Sequence, residues 1–485
     1  MIFLGTTYVT HPGYDMRISR LISARIWIAV GLVSFAMVAS AIGASARTAM
    51  PADTKTATAD PGTLVPTAPT DKSPWANFEL GRNFALGIGV AKDVQKARTY
   101  YEQALMSADP AVAKASAFAL GQLAEKELKD PATASGYFQK GADLGDEWSI
   151  LSLAKLYADG SGVTKNVRQA QALYAKLLDS KTPAAAKAAD FALGQLALNE
   201  LNNPKLAASY FERGAKLDDA WAMFALAQIS ASGKKAELYE RAAKTDPAVA
   251  KYALFELGQL YLTPSSRNGG MALEYHTQAA QLGNVWSWYV IARMYADGDG
   301  VKRSAIKANR YYLLGLKAGK IELSRASAFA LGDLHLNKPL RNPELAAQYF
   351  AQGAKLGDDW SKFKLADMYA SGEGVPKNAS KAKNLFLELR ARKDHSVTTA
   401  ALFALGRLHM KGPLKDYRSA RRYFRDGSNQ GDLWSTYYLA EIYANGEGTK
   451  ADRRHARALL QRLRHSDDRQ ARLAAEFLLK KIGRG

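Results

Sequence analysis

The 485-residue chain contains no cysteine. That single absence removes thiol nucleophiles, disulfide frameworks, Cys-ligated zinc, iron–sulfur clusters and the acylated cysteine of a lipoprotein. Histidine is nearly as scarce. His11, His276, His335, His395, His409, His455 and His465 show no His-Glu-x-x-His or other zinc-ligand spacing, so structural roles are expected for them. Gly-x-Gly pairs occur, but no Gly-Lys-Ser/Thr follows and no strand pattern precedes them, which argues against a phosphate loop. No acidic pair stands apart from the repeats described below, as glycosidic chemistry would need. The expectation is a non-catalytic chain without cofactor or metal, and a polysaccharide-active enzyme is the weakest functional alternative.

Long apolar runs are also lacking, with one exception. Arg17, Arg20 and Arg25 precede an apolar stretch from Ile26 to Gly43, and Ala44-Ser45-Ala46 supplies a small-residue cleavage pattern. Residues 1–46 are read as a signal peptide whose start at Met16 would give a compact basic leader. An uncleaved anchor is the alternative, because Ile26 to Ala46 is long enough to span a bilayer of about 30 Å. Either way the remainder is expected outside the cytoplasm, periplasmic or secreted, or anchored to the inner membrane. Residues 47–74 are rich in Thr, Ala and Pro without apolar periodicity, as expected of a flexible linker.

Beyond the linker the chain repeats. Trp75, Trp148, Trp221, Trp286, Trp360 and Trp434 are spaced by 73, 73, 65, 74 and 74 residues, and Gly121, Gly194, Gly258, Gly332 and Gly406 by 73, 64, 74 and 74. Two independent markers thus share one period, which contains two half-units of about 36 residues, each the size of a helix-turn-helix. Such a half-unit cannot bury a core alone, so the half-units must stack. Apolar residues at Leu151, Ala154, Leu156 and Tyr157, then at Val167, Ala170, Leu173 and Tyr174, mark one face of each helix. Pro204 fits a helical first turn. The Tyr-Phe pairs 137–138, 210–211, 349–350 and 423–424 recur at one helical position and are read as core.

The motif Leu156-Tyr157-Ala-Asp-Gly160-Ser-Gly162-Val163 recurs at Met294–Val301, Met368–Val375 and Ile442–Thr449, each followed by the Ala and aromatic positions of a second helix. On these residues the chain resembles the Sel1-like repeat family, a relative of the tetratricopeptide repeat. The resemblance implies an all-α fold, an α-solenoid forming a right-handed superhelix of about eleven repeats over 75–468, with a capping helix and basic tail at 469–485. It also implies binding of other macromolecules without chemistry. Two irregularities stand out. Trp221 to Gly258 is nine residues shorter than its counterparts, around 229–235, and the last helix replaces the packing glycine with Lys480. That last helix is expected to show a polar outer face.

The formal charge is +20, from 66 basic and 46 acidic residues, and the last 109 residues carry +13 of it. Arg390, Arg392, Lys393, Arg418, Arg421, Arg422 and Arg425 form one group; Arg453, Arg454, Arg457, Arg462 and Arg464 form another. Arginine suits carboxylate or phosphate recognition through its planar fork, so these residues are the candidate binding surface. Export argues against nucleic acid. Membrane contact is expected only through an uncleaved N-terminal segment. The resemblance extends to periplasmic scaffold proteins of alginate-type exopolysaccharide export, which implies envelope proteins and an anionic polysaccharide as partners. The missing cysteine departs from the acylated members of that group. The alternative is a periplasmic regulator that binds the sensor domain of a membrane kinase.

Overall fold

The computed structural model describes residues 74–411 and 414–483. The proposed targeting segment, and the linker up to residue 73, lie outside the described residues. Among the described residues there are 23 α-helices, one 3-10 turn at Pro264–Ser266 and no strand. None of these helices is long and apolar enough to cross a membrane.

The helices form an all-α solenoid of hairpins that divides into two compact units, 1–257 and 258–485, with the division inside one helix. The first unit holds α1 (Ala76–Leu86), α2 (Val94–Leu105), α3 (Pro110–Lys126), α4 (Pro131–Asp143), α5 (Glu147–Asp159), α6 (Val167–Ala175), α7 (Pro183–Asn199), α8 (Pro204–Lys216), α9 (Ala220–Ile229) and α10 (Ser232–Thr245). α11 (Pro247–Leu260) runs across the division. The second unit continues with α12 (Gly269–Gln281), α13 (Trp286–Asp297), α14 (Ala305–Leu316), α15 (Ile321–Leu336), α16 (Pro343–Lys355), α17 (Asp359–Ser371), α18 (Ala379–Arg390), α19 (His395–Lys411), α20 (Tyr417–Asn429), α21 (Leu433–Asn445), α22 (Arg453–Arg464) and α23 (Arg469–Gly483). Within each unit, sequential helices pack as antiparallel neighbours, and the first helices of successive hairpins also meet. Among the described residues the result is eleven hairpins and a final helix.

Helix boundaries follow local chemistry. Asp130, Asn203 and Asn342 accept hydrogen bonds from the third residue onward, and the proline after each fills the first helical position, where no donor is lost. At the other end, Gly160 and Gly162 adopt φ of 70° and 72°, and the pairs 298/300, 372/374 and 446/448 behave alike. This left-handed conformation stops the first helix and turns the chain into the second, which is why glycine stands there.

Two glycine contacts set the helix spacing. A Cβ at Gly121, Gly194, Gly332 or Gly406 would run into the ring of Phe138, Phe211, Phe350 or Phe424 from the second helix of the same hairpin; at Gly258 it would meet His276. These four phenylalanines are fully buried, whereas the preceding tyrosines are only half-buried. A second set, absent from the sequence reading, joins one hairpin to the next. A Cβ at Gly141, Gly353 or Gly427 would overlap the side chain of Ser149, Ser361 or Ser435 at the start of the following helix.

The short hairpin α9–α10 lacks the Gly-x-Gly turn. Only Ser230 and Ala231 separate its helices, and α9 is buried from Ala220 through Ala227. The final helix corrects the expectation of a polar outer face. Leu473 and Phe477 of α23 are exposed; Phe477 repeats the position of Phe403, and among the described residues no second helix covers it as α20 covers Phe403.

Candidate interaction surfaces

The tryptophans that announce the period do not share one environment. Trp221 and Trp360 are buried, and Trp75, Trp148, Trp286 and Trp434 are half-buried. Five of them stand edge-on to an aromatic three residues later; Trp360 meets Phe363 at 5.6 Å and Trp434 meets Tyr437 at 6.0 Å. They therefore mark repeat register rather than depth in the core.

The basic residues of the second unit also separate by role. Arg390 pairs with Asp426 at 3.4 Å and lies over the Tyr423 ring, and Arg392 pairs with Asp359 at 3.0 Å. The first pair joins neighbouring hairpins, and the second ties the end of α18 back to the start of α17 in the same hairpin. Lys393 is exposed in the turn after α18. On α20, Arg418, Arg421, Arg422 and Arg425 follow three- and four-residue steps, so they share one side of the helix. Three are exposed and Arg421 is half-buried, and none forms an ion pair among the described residues. Ala420, Phe424, Gly427 and Ser428 occupy the opposite, buried side. Helix α22 repeats the arrangement: Ala456, Leu459, Leu460 and Leu463 face inward, and Arg453, Arg454, Arg457, Arg462 and Arg464 are exposed. The structure thus makes two arginine-bearing helix faces out of the sequence cluster. Arg390 and Arg392 are instead held in ion pairs within the stack.

A second recurrent arrangement went unnoticed in the sequence. The aromatic near the end of the first helix receives a basic side chain twelve residues later, across the turn: Phe84 with Lys96 at 5.3 Å, Tyr295 with Lys307 at 4.8 Å and Tyr369 with Lys381 at 4.3 Å from the ring centroid. Tyr443 and His455 keep the same spacing, with centroids 4.5 Å apart. These clasps tie the two helices of a hairpin over the turn.

Three acids of the first unit are strongly shifted by burial. Asp190 is fully buried, and its carboxylate lies 3.4 Å from Arg213 Nε without a hydrogen-bond partner among the described residues. Burial pushes its pKa up to about 6, against the lowering effect of Arg213. Asp219, which caps α9 by accepting from the Trp221 amide, is likewise pushed up to about 6 by burial. Burial raises Glu256 to about 7, opposed by Lys235. Asp190 occupies the place that Ala117, Leu254, Ala328 and Leu402 take in other hairpins, so a charged residue there departs from the repeat. Among the described residues no cluster of His, Cys, Asp and Glu could hold a metal ion.

The family model described as Sel1 repeat matches ten segments: 76–109, 115–146, 149–180, 188–219, 251–284, 289–320, 325–358, 361–389, 399–432 and 435–464. Together they cover more than half of the chain. The chain belongs to the Sel1 repeat family. The hairpin that its model skips is α9–α10, where the nine residues and the Gly-x-Gly turn are missing. A curated relative, an exopolysaccharide production negative regulator from Rhizobium meliloti (strain 1021), is 28% identical over 131 residues, 24% of this chain and 49% of the relative. The chain thus spans about half the length of the curated relative it matches. Among solved structures, c5321, a protective antigen of uropathogenic Escherichia coli with an SLR fold, is 20% identical with a TM-score of 0.48, covering 84% of this chain and 91% of that one. A Sel1 repeat protein from Oxalobacter formigenes is 20% identical with a TM-score of 0.44, covering 73% and 97%. Sel1 repeat proteins serve as protein-interaction scaffolds, and their fold is typically non-catalytic.

Proposed function

We propose that this Sel1 repeat protein is a non-catalytic scaffold of the cell envelope that supports exopolysaccharide production through an acidic partner. The observation that carries the reading is the row Arg418, Arg421, Arg422 and Arg425, which has no ion-pair partner among the described residues. A stack made only for its own stability has no need of four arginines on one helix face, since like charges at these spacings repel. Their forks suit carboxylates, whether on an acidic protein or on a uronate polymer. The name of the Rhizobium meliloti relative supports the link to exopolysaccharide. Because that relative is a negative regulator, it also favours a second reading, in which the solenoid restrains a partner such as the sensor domain of a membrane kinase.

The test replaces Arg418, Arg421, Arg422 and Arg425 with Gln and measures binding to sodium alginate, and to envelope proteins captured by the native chain, at two salt concentrations. Affinity should fall strongly at low salt and differ little near about 0.5 M, where the Debye length is only a few ångströms. Equal binding and equal salt dependence for both forms would reject this face as the docking surface. A captured membrane kinase would decide for the regulatory reading.

A further inference from the structure

Helix α23 carries apolar residues on two sides. Ala471, Ala475, Leu478 and Ile482 are buried against the preceding helices, whereas Leu473 is 56% and Phe477 62% exposed. At 3.6 residues per turn, Leu473 and Phe477 lie on the side opposite that core, in line with Arg469 and Lys480 and next to Lys481. Glu476 is the one acid of the helix.

The repeat explains only part of this face. Phe477 stands 74 residues after Phe403, which meets Phe424 at 6.1 Å because Gly406 leaves room for that ring. Lys480 stands where Gly406 would be, so a further helix could not dock on α23 as α20 docks on α19. Leu473 has no such ancestry. The equivalent position holds Lys114, Lys187, Lys251, Arg325 and Thr399 in the earlier hairpins. An apolar residue has therefore entered a position that is polar in all five of them, one helical turn from an uncovered phenylalanine.

We propose that this face of α23 docks on the surface of an anionic phospholipid bilayer. Leu473 and Phe477 enter the headgroup region, while Arg469, Lys480 and Lys481 meet lipid phosphates. Two partly exposed side chains offer on the order of 200 Å² of apolar surface, far below the roughly 800 Å² that each partner of a stable protein complex contributes. A second copy is disfavoured by charge as well, because antiparallel pairing of two such faces sets Arg469 against Lys480 and Lys481. A bilayer needs neither a large interface nor a shaped pocket: shallow insertion and attraction to anionic headgroups act together. This docking is independent of the arginine row on α20.

The test uses the chain from Arg47 onward, which holds every described residue and lacks the apolar leader. Co-sedimentation should show binding to phosphatidylcholine vesicles containing about 30 mol% phosphatidylglycerol and little binding to phosphatidylcholine alone. The pair Leu473→Ser and Phe477→Ser should lower partitioning by about tenfold without lowering the melting temperature, since both side chains face solvent. The set Arg469→Gln, Lys480→Gln and Lys481→Gln should abolish the preference for the anionic lipid. Native binding unchanged by the serine pair, or no native binding at all, would overturn the proposal. A native dimer that the serine pair dissolves would overturn it in favour of a second copy, and an unfolded serine variant would leave the glutamine set to decide.

Discussion

A methyl group added at Gly332 would stand 2.6 Å from the ring of Phe350, which is fully buried and has nowhere to move. Gly332→Ala is therefore expected to cost about 1 to 3 kcal/mol, and Gly332→Leu more, in a urea melt. The two tryptophan environments predict a graded pair: Trp360→Ala should cost about 3 to 5 kcal/mol, and half-buried Trp434→Ala clearly less. Asp190 should behave in the opposite sense to an ordinary aspartate. Its folded pKa, about 6, lies above the unfolded value, so the native state takes up the proton first. Its contribution to stability rises as the pH falls from above 6 towards 4. Asp190→Ala, the residue of two equivalent hairpins, should remove that acid-side gain and stabilise the chain at pH 7 by on the order of 1 to 3 kcal/mol. Melting curves at pH 5 and pH 7 separate the two effects; a variant less stable than native at pH 7 would show that the Arg213 pair outweighs the burial cost.

At the scale of helices, the turn before each Trp-bearing helix is the informative element. Gly145, Gly283, Gly357 and Gly431 hold φ between 78° and 90° there, while Asp218 adopts φ 56° at the same place before α9. Asp218→Gly should relieve that left-handed aspartate and raise stability by about 1 kcal/mol, read as a higher melting temperature. The hairpins themselves were legible in the sequence because tryptophan and glycine repeat at fixed intervals, and the two helices of each half-unit show the 3.6-residue period. The clasp of Tyr369 with Lys381 was equally regular, but its meaning depends on the turn between them folding back, which spacing alone does not reveal. Lys381→Met should weaken that hairpin by about 0.5 to 1 kcal/mol. Arg390 and Arg392 were read with the other arginines because their partners, Asp426 in the next hairpin and Asp359 at the start of their own, lie more than thirty residues away in the sequence. By contrast, the α20 row could be read directly, since its four arginines are neighbours on a single helix. The outward turn of Phe477 could not, because composition does not say which ring will lack a covering helix.

On the scale of the molecule, charge and architecture follow different rules. Stability is distributed over contacts between neighbours in the stack, whereas +13 of the +20 formal charge is gathered in the last 109 residues. Binding and folding should therefore be separable by substitution at the basic end.

The two kinds of glycine contact have a consequence for how such a chain changes length. One kind closes a hairpin on itself, as Gly332 receives Phe350; the other joins a hairpin to its successor, as Gly353 receives Ser361. A cut that keeps both kinds in step must remove a whole 74-residue period. Deleting 286–359 joins Val285 to Trp360, one Trp-bearing start in place of another, and the shortened chain should melt cooperatively. Removing half that length sets a Leu-Gly helix where a Trp helix belongs and should leave the junction hairpins unfolded to hydrogen exchange. Length can therefore change in whole-period steps without disturbing either contact, and the nine residues missing at α9–α10 fall at a turn, where neither contact lies.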